Sequence, residues 1–405
     1  MSDTTPPQLP AGFRAAGVAA HIKKNGQPDV ALIVSATGCS AAAVFTANRV
    51  KAAPVLYDQE LLATGNGHLR AVVINSGCAN ACTGPSGLQD CLDTASHTAG
   101  ALSDSTGQRI NPAQVAVMST GVIGVNLPMG RLRAGITDAV ESLSADGLER
   151  AARAIMTTDT VPKIAYARLS APAGTVQIAG IAKGSGMIHP NLATMLSVVM
   201  TDAAVDSDTL KTMLKDAAGL SFNRISVDGD TSTNDTLLAL ANGASRVVVD
   251  SGELRGQFQR ALTQVCIDLA RQMARDGEGA TKLITLEITG APDVHTAEVV
   301  GRTIAKSPLV KTAFYGEDAN WGRIIAAAGY SGEDVEPGCM SLWFGPVLVF
   351  QNGMPTQYSE EDATRAIQTH DVTVRLDLGL GSATATIWTC DLSHDYVTIN
   401  GRYRT

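Results

Sequence analysis

Short apolar runs alternate with Ala-rich stretches of helical periodicity along the first half of the chain. The runs VALIVS (30–35) and LRAVVINSG (69–77) predict strands, because aliphatic residues continue in each up to a Gly or a polar turn. In the stretch 129–143 the apolar residues recur at helical spacing, which predicts a helix, and 147–159 predicts a second one. This alternation is typical of a mixed α/β protein, and the strands are too abundant for a helical bundle.

The second half of the chain continues the alternation. The stretch VDSDTLKTMLKDAAG (205–219) predicts an amphipathic helix, and 253–279 is the longest helical stretch, ending at two glycines. Alternating positions in 283–291 predict a half-buried strand. In 371–392 both arms alternate around a Gly-rich centre, which predicts a β-hairpin that turns at 380–382.

Composition and charge exclude several functional classes. The chain has 405 residues, 45% of them hydrophobic, which is enough for a large core and favours more than one domain. The net charge is −8 and no basic block is present, so we expect no nucleic-acid partner. The N-terminal segment lacks the pattern of a signal peptide, and no run of 18 apolar residues occurs, so we expect no membrane span.

Cysteine usage indicates a reducing compartment. The seven cysteines are odd in number and scattered, which favours buried thiols over a disulfide framework, and we expect a cytoplasmic protein. Cys78 and Cys82 in NSGCANACTG are the only close pair. No second Cys or His pair accompanies them, so we expect no metal site.

The segment AKGSGMIHPNLATMLSVVMTDAAV (182–205) joins a Gly- and Pro-containing turn to an apolar run, and Thr194 lies at the junction. Thr194 is either the first residue of a buried strand or a nucleophile, and the local pattern alone favours the strand. A threonine nucleophile needs a base within hydrogen-bond reach. His189 lies on the preceding turn, where we expect a solvated loop histidine. Cleavage between Ala193 and Thr194 would instead supply an α-amine with a pKa of about 7.7–8.0.

Four polar clusters are candidates for chemistry, although each also fits a solvated turn. They are VMSTGVIG (117–124), IMTTDTVPK (155–163), SVDGDTSTNDT (226–236) and TAFYGEDANWGRI (312–324). The first ends a β-run in Thr-Gly, a turn that can aim a hydroxyl and an N–H at one point, as an oxyanion hole requires. The third is not an EF-hand calcium loop, because Thr233 and Ala239 occupy the positions that need Gly and Glu. The GSG of residues 184–186 fits neither a P-loop nor a dinucleotide fingerprint.

Six motifs, in order along the chain, resemble the ornithine acetyltransferases of arginine biosynthesis, the ArgJ family of bifunctional glutamate N-acetyltransferases and amino-acid acetyltransferases. The motifs are STGVIG, MTTDTVPK, KGSGMIHPNLATML, VDGDTSTNDT, GEGATK and NWGRI. The likeness extends from GVAAHIKKNGQPDVAL to the C-terminal YVTINGRYRT. It implies an α/β (α+β) fold of stacked β-sheets flanked by helices, similar to N-terminal-nucleophile hydrolases, formed by a self-cleaving precursor. Cys78 stands where we expect a polar residue such as Asn, and no catalytic role depends on it.

The resemblance also implies roles for individual residues. The precursor would cut itself between Ala193 and Thr194 into an α chain (1–193) and a β chain (194–405), with Thr194 as the nucleophile. Thr120 and Gly121 correspond to the oxyanion hole of the family. Lys183 suits the α-carboxylate of an acetylated amino acid, and Glu278 suits the ornithine ammonium. The complete set of implied substrate contacts is Thr157, Lys183, Thr194, Glu278, Asn400 and Thr405.

The implied reaction is ping-pong transfer of an acetyl group from N2-acetyl-L-ornithine to L-glutamate through an acetyl-threonine intermediate. It needs no metal and no bound organic cofactor, and the sequence leaves open whether acetyl-CoA is a second acetyl donor. The implied assembly is an α2β2 heterotetramer.

Two other functions remain as alternatives. One is a self-cleaving aminopeptidase or amidohydrolase of the N-terminal-nucleophile type, and the other is an amino-acid-binding or sensor protein without catalysis. The pairing of Lys183 with Glu278, which suits a zwitterionic amino acid, argues against the first. The presence of Thr194, Thr120 and Gly121 argues against the second.

Overall fold

The computed structural model describes residues 8–64, 67–189, 195–250 and 252–402. It confirms the predicted fold class, a mixed α/β protein in which two β-sheets are flanked by helices. No helix within these ranges is long and apolar enough to cross a membrane.

The strands in the described ranges are β1 Phe13–Val18, β2 Val30–Phe45, β3 His68–Cys78, β4 Val115–Val122, β5 Lys163–Ala171, β6 Gly174–Lys183, β7 Leu196–Thr201, β8 Ile225–Ser226, β9 Thr236–Ala241, β10 Leu283–Ala291, β11 Ser341–Phe344, β12 Val347–Gln351, β13 Met354–Pro355, β14 Asp371–Asp377 and β15 Ala383–Cys390. The α-helices there are α1 Ala53–Thr64, α2 Gly84–Thr106, α3 Met129–Glu141, α4 Leu148–Ala154, α5 Ser207–Gly219, α6 Gly252–Arg275, α7 Val294–Lys306, α8 Pro308–Tyr315, α9 Trp321–Gly329, α10 Glu360–Ile367 and α11 His394–Arg402.

The first sheet contains strands from both sides of the predicted cleavage point. Its order is β4-β3-β2-β9-β7-β6-β5, and β1 pairs with β2. β6 and β7 are antiparallel neighbours, with Lys183 opposite Leu196. β7 also pairs in parallel with β9, with Leu196 opposite Thr236. The chains 1–193 and 194–405 would therefore share one sheet, and the proposed division would not separate two independent sheets.

The second sheet corrects one sequence prediction. Its order is β13-β12-β11-β14-β10-β15-β8. β14 and β15 are both strands, as predicted, but they do not form a hairpin, because β10 lies between them. Leu283 of β10 pairs with Asp371 on one side, in parallel, and with Cys390 on the other, antiparallel. Alternation along a strand shows which face is buried, whereas the partner strand depends on contacts far away in sequence.

The four predicted helices are present, and three of them, α3, α4 and α6, end earlier than predicted. α4 ends at Ala154, so the polar residues up to position 159 form a turn rather than a last helical turn. α6 ends at Arg275, and the left-handed Gly279 (φ +68°) follows it. The buried side chains of α6 pack on β5 and β6 so closely that a Cβ at Gly180 would lie 2.9 Å from Leu269 Cδ1. This packing fixes the end of β6, from which the turn before position 190 departs.

Candidate active site

One pocket gathers most of the residues that the sequence singles out. Six of them line it, namely Thr120, Gly121, Thr157, Lys183, Glu278 and Asn400. They come from β4, the turn after α4, β6, the loop after α6, and α11, so their convergence is a product of the fold. Ala193, Thr194 and Thr405 lie outside the described residues. The roles assigned to all of these residues remain predictions.

The Thr120–Gly121 end of β4 forms one wall of the pocket. Gly121 has a φ of +130°, and a Cβ there would lie 2.4 Å from the carbonyl carbon of Gly77 on β3. Two backbones approach so closely that a side chain at this position has no room. The pairing of β3 with β4 is irregular here, around Cys78, and Asn75 donates a 2.8 Å hydrogen bond to the Cys78 carbonyl. This wall of the pocket is therefore formed where the pairing of β3 with β4 becomes irregular.

Lys183 is a buried cation beside this wall. It is 2% exposed, and its Nζ donates to Thr120 Oγ1 at 3.3 Å. Burial lowers the pKa of Lys183, and the nearby carboxylate of Asp159 counteracts that shift. A buried ammonium with room in front of it is a strong partner for a carboxylate ligand.

Three charged residues that the sequence analysis did not assign hold Lys183 and the following turn in place. Asp159 accepts a 2.5 Å hydrogen bond from the fully buried Lys163 and a 2.7 Å bond from the Gly184 N–H. Lys163 also pairs with Asp276. The Ser185 hydroxyl donates to the Asp276 carbonyl at 2.5 Å. The i,i+4 spacing of Asp159 and Lys163 is the feature of the sequence from which this ion pair could have been predicted. The spacing alone does not show that both side chains are buried.

This buried ion network predicts a specific acid sensitivity. Burial alone would raise the pKa of Asp159, but Lys163 and Lys183 outweigh it and lower that pKa from 3.8 to about 2. A lowered folded-state pKa stabilises the protein above pH 4, and that contribution is lost as the pH falls from about 4 to 2. It amounts to roughly 2 kcal/mol of unfolding free energy.

Urea unfolding between pH 2 and pH 5 measures this contribution. Asp159→Asn should be less stable at pH 5 and should show a flatter pH dependence than the wild type. The matched control is Asp104→Asn, at an exposed position of α2, which should keep the wild-type dependence. An unchanged slope in Asp159→Asn would show that this carboxyl does not titrate as the network requires.

A half-buried carboxylate, Asp228, holds the turn that precedes position 190. It accepts hydrogen bonds from the backbone N–H groups of Met187 at 2.5 Å and Ile188 at 2.9 Å. Met187 has a φ of +57°, a conformation that non-glycine residues rarely adopt. Asp228 therefore stabilises an unfavourable backbone conformation shortly before the predicted cleavage site.

His189 differs from its predicted environment. It is half-buried rather than solvated, and its Nδ1 lies 3.1 Å from Ser226 Oγ. Burial, with Lys306 and Arg302 nearby, lowers its pKa from 6.5 to about 4. The imidazole is therefore neutral near pH 7. Sequence reasoning failed here because β8, which supplies Ser226, is only two residues long and lies 37 positions further on.

Asp235 is a further carboxylate that the sequence analysis did not assign. It is fully buried, and its Oδ1 accepts the Met195 N–H at 2.8 Å. Its Oδ2 has no hydrogen-bond partner within the described part of the chain. Burial raises its pKa well above the usual range, although Lys183 counteracts part of that shift. The carboxyl group of Asp235 thus lies beside Met195, the residue that directly follows Thr194.

Glu278, which contacts α11, supplies an acidic group to the pocket, in contrast to the ammonium of Lys183. Glu278 is 8% exposed, and Asn400 Nδ2 donates to its Oε2 at 2.7 Å. A Cβ at Gly186 would lie 2.4 Å from the Glu278 carboxyl, so a side chain at this position would displace that carboxyl group. The pocket thus combines a buried ammonium with a buried carboxylate, and it fits a small zwitterionic molecule.

This fold and pocket define a mixed α/β protein with a site for a small zwitterionic ligand. The chain belongs to the ArgJ family, because the family model described under that name matches residues 14–405. The resemblance seen in the motifs is thereby confirmed.

Two individual relatives match this chain over nearly its whole length, and one solved structure matches about half of it. The "Arginine biosynthesis bifunctional protein ArgJ" of Symbiobacterium thermophilum is 51% identical, with 98% of each chain covered. The protein of the same name from Thermobifida fusca is 48% identical and covers 98% of this chain and 99% of its own. A crystal structure of ornithine acetyltransferase complexed with ornithine, from Mycobacterium tuberculosis, is 46% identical. It covers 47% of this chain and 98% of its own, with a TM-score of 0.43.

Proposed function

We propose that this chain is a bifunctional enzyme of arginine biosynthesis that transfers an acetyl group from N2-acetyl-L-ornithine to L-glutamate. The observation that carries the proposal is the pairing of buried Lys183 and buried Glu278 in the pocket beside Thr120 and Gly121. Lys183 would bind the α-carboxylate that both substrates share, and Glu278 would bind the ornithine ammonium. Two relatives that match 98% of this chain are named as bifunctional proteins of arginine biosynthesis, which supports the same activity.

The proposed chemistry passes the acetyl group through Thr194. The hydroxyl oxygen of Thr194 attacks the acetyl carbonyl carbon while its proton moves to the α-amine of the same residue. The amide C–N bond then breaks, the leaving amine of ornithine takes the proton, and the acetyl group remains as an ester on Thr194. The amine of glutamate then attacks the ester carbonyl carbon and gives a proton to the α-amine of Thr194. The ester C–O bond breaks, the threonine oxygen takes that proton to restore the hydroxyl, and N-acetylglutamate leaves.

The remaining predicted site residues support this sequence of steps. The Thr120 hydroxyl and the Gly121 N–H would donate to the oxyanion that forms in both tetrahedral intermediates. Thr157, Asn400 and Thr405 would position the substrate. We propose that the enzyme needs no metal or bound cofactor, with acetyl-CoA as an additional donor to be tested.

The proposed nucleophile requires cleavage between Ala193 and Thr194. Each mature molecule would consist of an α chain (1–193) and a β chain (194–405), held together by the pairing of β6 with β7, and two copies would form a cytoplasmic α2β2 heterotetramer. Denaturing electrophoresis of freshly purified protein should show two bands of similar size, from chains of 193 and 212 residues. A single band at 42 kDa would contradict self-cleavage.

An acetyl-transfer assay distinguishes the proposed activity from its alternatives. Protein incubated with N-acetylornithine and glutamate should release ornithine and N-acetylglutamate in equal amounts. Release of acetate alone would favour the amidohydrolase, and binding without turnover would favour an amino-acid sensor. Replacement of N-acetylornithine by acetyl-CoA in the same assay tests the second donor.

A further inference from the structure

The proposed reaction poses a charge problem for one pocket. Ornithine carries an ammonium at the end of its side chain, whereas glutamate carries a carboxylate there. Among the described lining residues, three carry carboxylates (Asp228, Asp230 and Glu278), and the only ammonium is that of Lys183. Lys183 is assigned to the α-carboxylate that both substrates share. The side-chain carboxylate of glutamate therefore needs a different donor, close to groups that repel it.

A neutral donor can meet this need, and Tyr396 lines the pocket from α11. Its hydroxyl donates to Asp228 Oδ2 at 3.3 Å. Burial, together with Asp228 and Glu278, raises the pKa of the phenol, so that it keeps its proton at any working pH. A protonated phenol can both donate and accept a hydrogen bond, which a carboxylate or an ammonium cannot do.

The Asp228 carboxylate can release the Tyr396 hydroxyl without becoming unsatisfied. It also accepts backbone N–H groups from Met187 at 2.5 Å, Ile188 at 2.9 Å and Asp230 at 3.3 Å. The bond from Tyr396 is as long as the longest of these. Loss of this fourth bond therefore leaves a carboxylate that still accepts three others.

The neighbouring donor on α11 is already committed. The two amide hydrogens of Asn400 go to Glu278 Oε2 at 2.7 Å and to the Tyr396 carbonyl at 3.1 Å. A bond from Asn400 to glutamate would break one of these contacts, and loss of the first would leave Glu278 more exposed to the incoming carboxylate. The Tyr396 hydroxyl is thus the donor on this helix that can turn towards a ligand at low cost.

We propose that Tyr396 is a specificity-determining residue that lets one pocket accept both substrates, by redirecting its hydroxyl. With ornithine bound, the hydroxyl keeps donating to Asp228, and Glu278 receives the ammonium. With glutamate bound, it rotates and donates to the side-chain carboxylate. This inference rests on the proposed function, because it concerns the second half of the same transfer.

The experiment is Tyr396→Phe, with kcat/KM measured separately for each substrate of the ping-pong reaction. Loss of a hydrogen bond to a charged group should lower kcat/KM for glutamate about 10-fold or more. The value for N-acetylornithine should change by less than about 3-fold, because Glu278 still receives the ammonium. The preference for glutamate over glutamine as acceptor should fall in parallel, and this ratio does not depend on the fraction of active protein.

The matched control is Tyr315→Phe. The Tyr315 hydroxyl lies 3.3 Å from His394 Nδ1 at the start of the same helix, and Tyr315 is not among the described lining residues of the pocket. This variant should leave both values and the acceptor ratio unchanged. Equal losses for the two substrates in Tyr396→Phe, or an unchanged acceptor ratio, would overturn the assignment.

If Tyr396→Phe does not fold or mature, the role of Tyr396 can be tested in the wild-type protein. A crystal structure with bound glutamate should show the Tyr396 hydroxyl within about 3 Å of the side-chain carboxylate, and a separation beyond hydrogen-bond range would overturn the inference. Wild-type protein that transfers no acetyl group would refute the proposed function itself. Normal wild-type transfer without the Tyr396 effects refutes only the role of Tyr396.

Discussion

Thr194→Ala should abolish both self-cleavage and acetyl transfer. One hydroxyl is proposed to attack the Ala193 carbonyl in the precursor and the acetyl group in the mature enzyme, so both reactions end when it is removed. Acetyl transfer should fall by at least about 10³-fold, as expected when a nucleophile is lost. Electrophoresis and the transfer assay on the same preparation measure both effects.

Thr194→Ser is the matched control, because serine keeps the hydroxyl and the α-amine. It should still be cut into two chains and should retain transfer activity. Intact transfer in Thr194→Ala would remove Thr194 from the mechanism. In Thr194→Ser, an uncut chain with normal transfer activity would show that the two reactions are independent and that the α-amine is not the base.

Gly121→Ala should lower kcat by roughly 10²–10³-fold, which is the effect of losing one oxyanion-hole donor. A Cβ at this position would lie 2.4 Å from the Gly77 carbonyl carbon and 2.6 Å from the Cys78 nitrogen. Both contacts are backbone atoms that cannot turn aside, and the φ of +130° is itself unfavourable for alanine. The strand end must therefore shift, which moves the Gly121 N–H away from the developing oxyanion. Steady-state kinetics on the cleaved fraction measures the loss.

Gly124→Ala provides a control in the same loop. Gly124 also has a positive φ, +79°, but a Cβ there meets nothing within 4 Å. It should lose about 1 kcal/mol of stability to backbone strain and keep its kcat. Similar kcat values for both variants would mean that the close approach at Gly121 does not serve catalysis.

The sequence was sufficient for the fold class and for six of the residues that line the pocket in the described part of the chain. Strands and helices follow hydrophobic periodicity, which is local, so the patterns at 69–77 and 129–143 agree with β3 and α3 within two residues. The predicted hairpin at 371–392 failed because strand partners are not local. β10, about 90 residues earlier in the chain, is inserted between its two arms.

The supporting residues of the site were harder to predict than the lining. Lys163, Asp235 and Asp276 resemble ordinary charged residues of polar turns. Only the fold shows that Lys163 and Asp235 are buried near Lys183 and that Asp276 pairs with Lys163. Tyr396 likewise could not be selected from the sequence, because its hydroxyl bonds to Asp228, which lies 168 positions away. Motifs identify residues that touch a ligand, whereas the groups that hold them depend on contacts between distant segments.

The most direct test of the proposed mechanism is intact-mass spectrometry of the purified wild-type protein after brief incubation with N-acetylornithine in the absence of glutamate. We expect a chain of residues 194–405 that is heavier by one acetyl group, about 42 Da, with the added mass on Thr194 and lost again when glutamate is supplied. An uncut chain, or a cut chain that shows no acetyl adduct while N-acetylglutamate accumulates in the complete reaction, would contradict it.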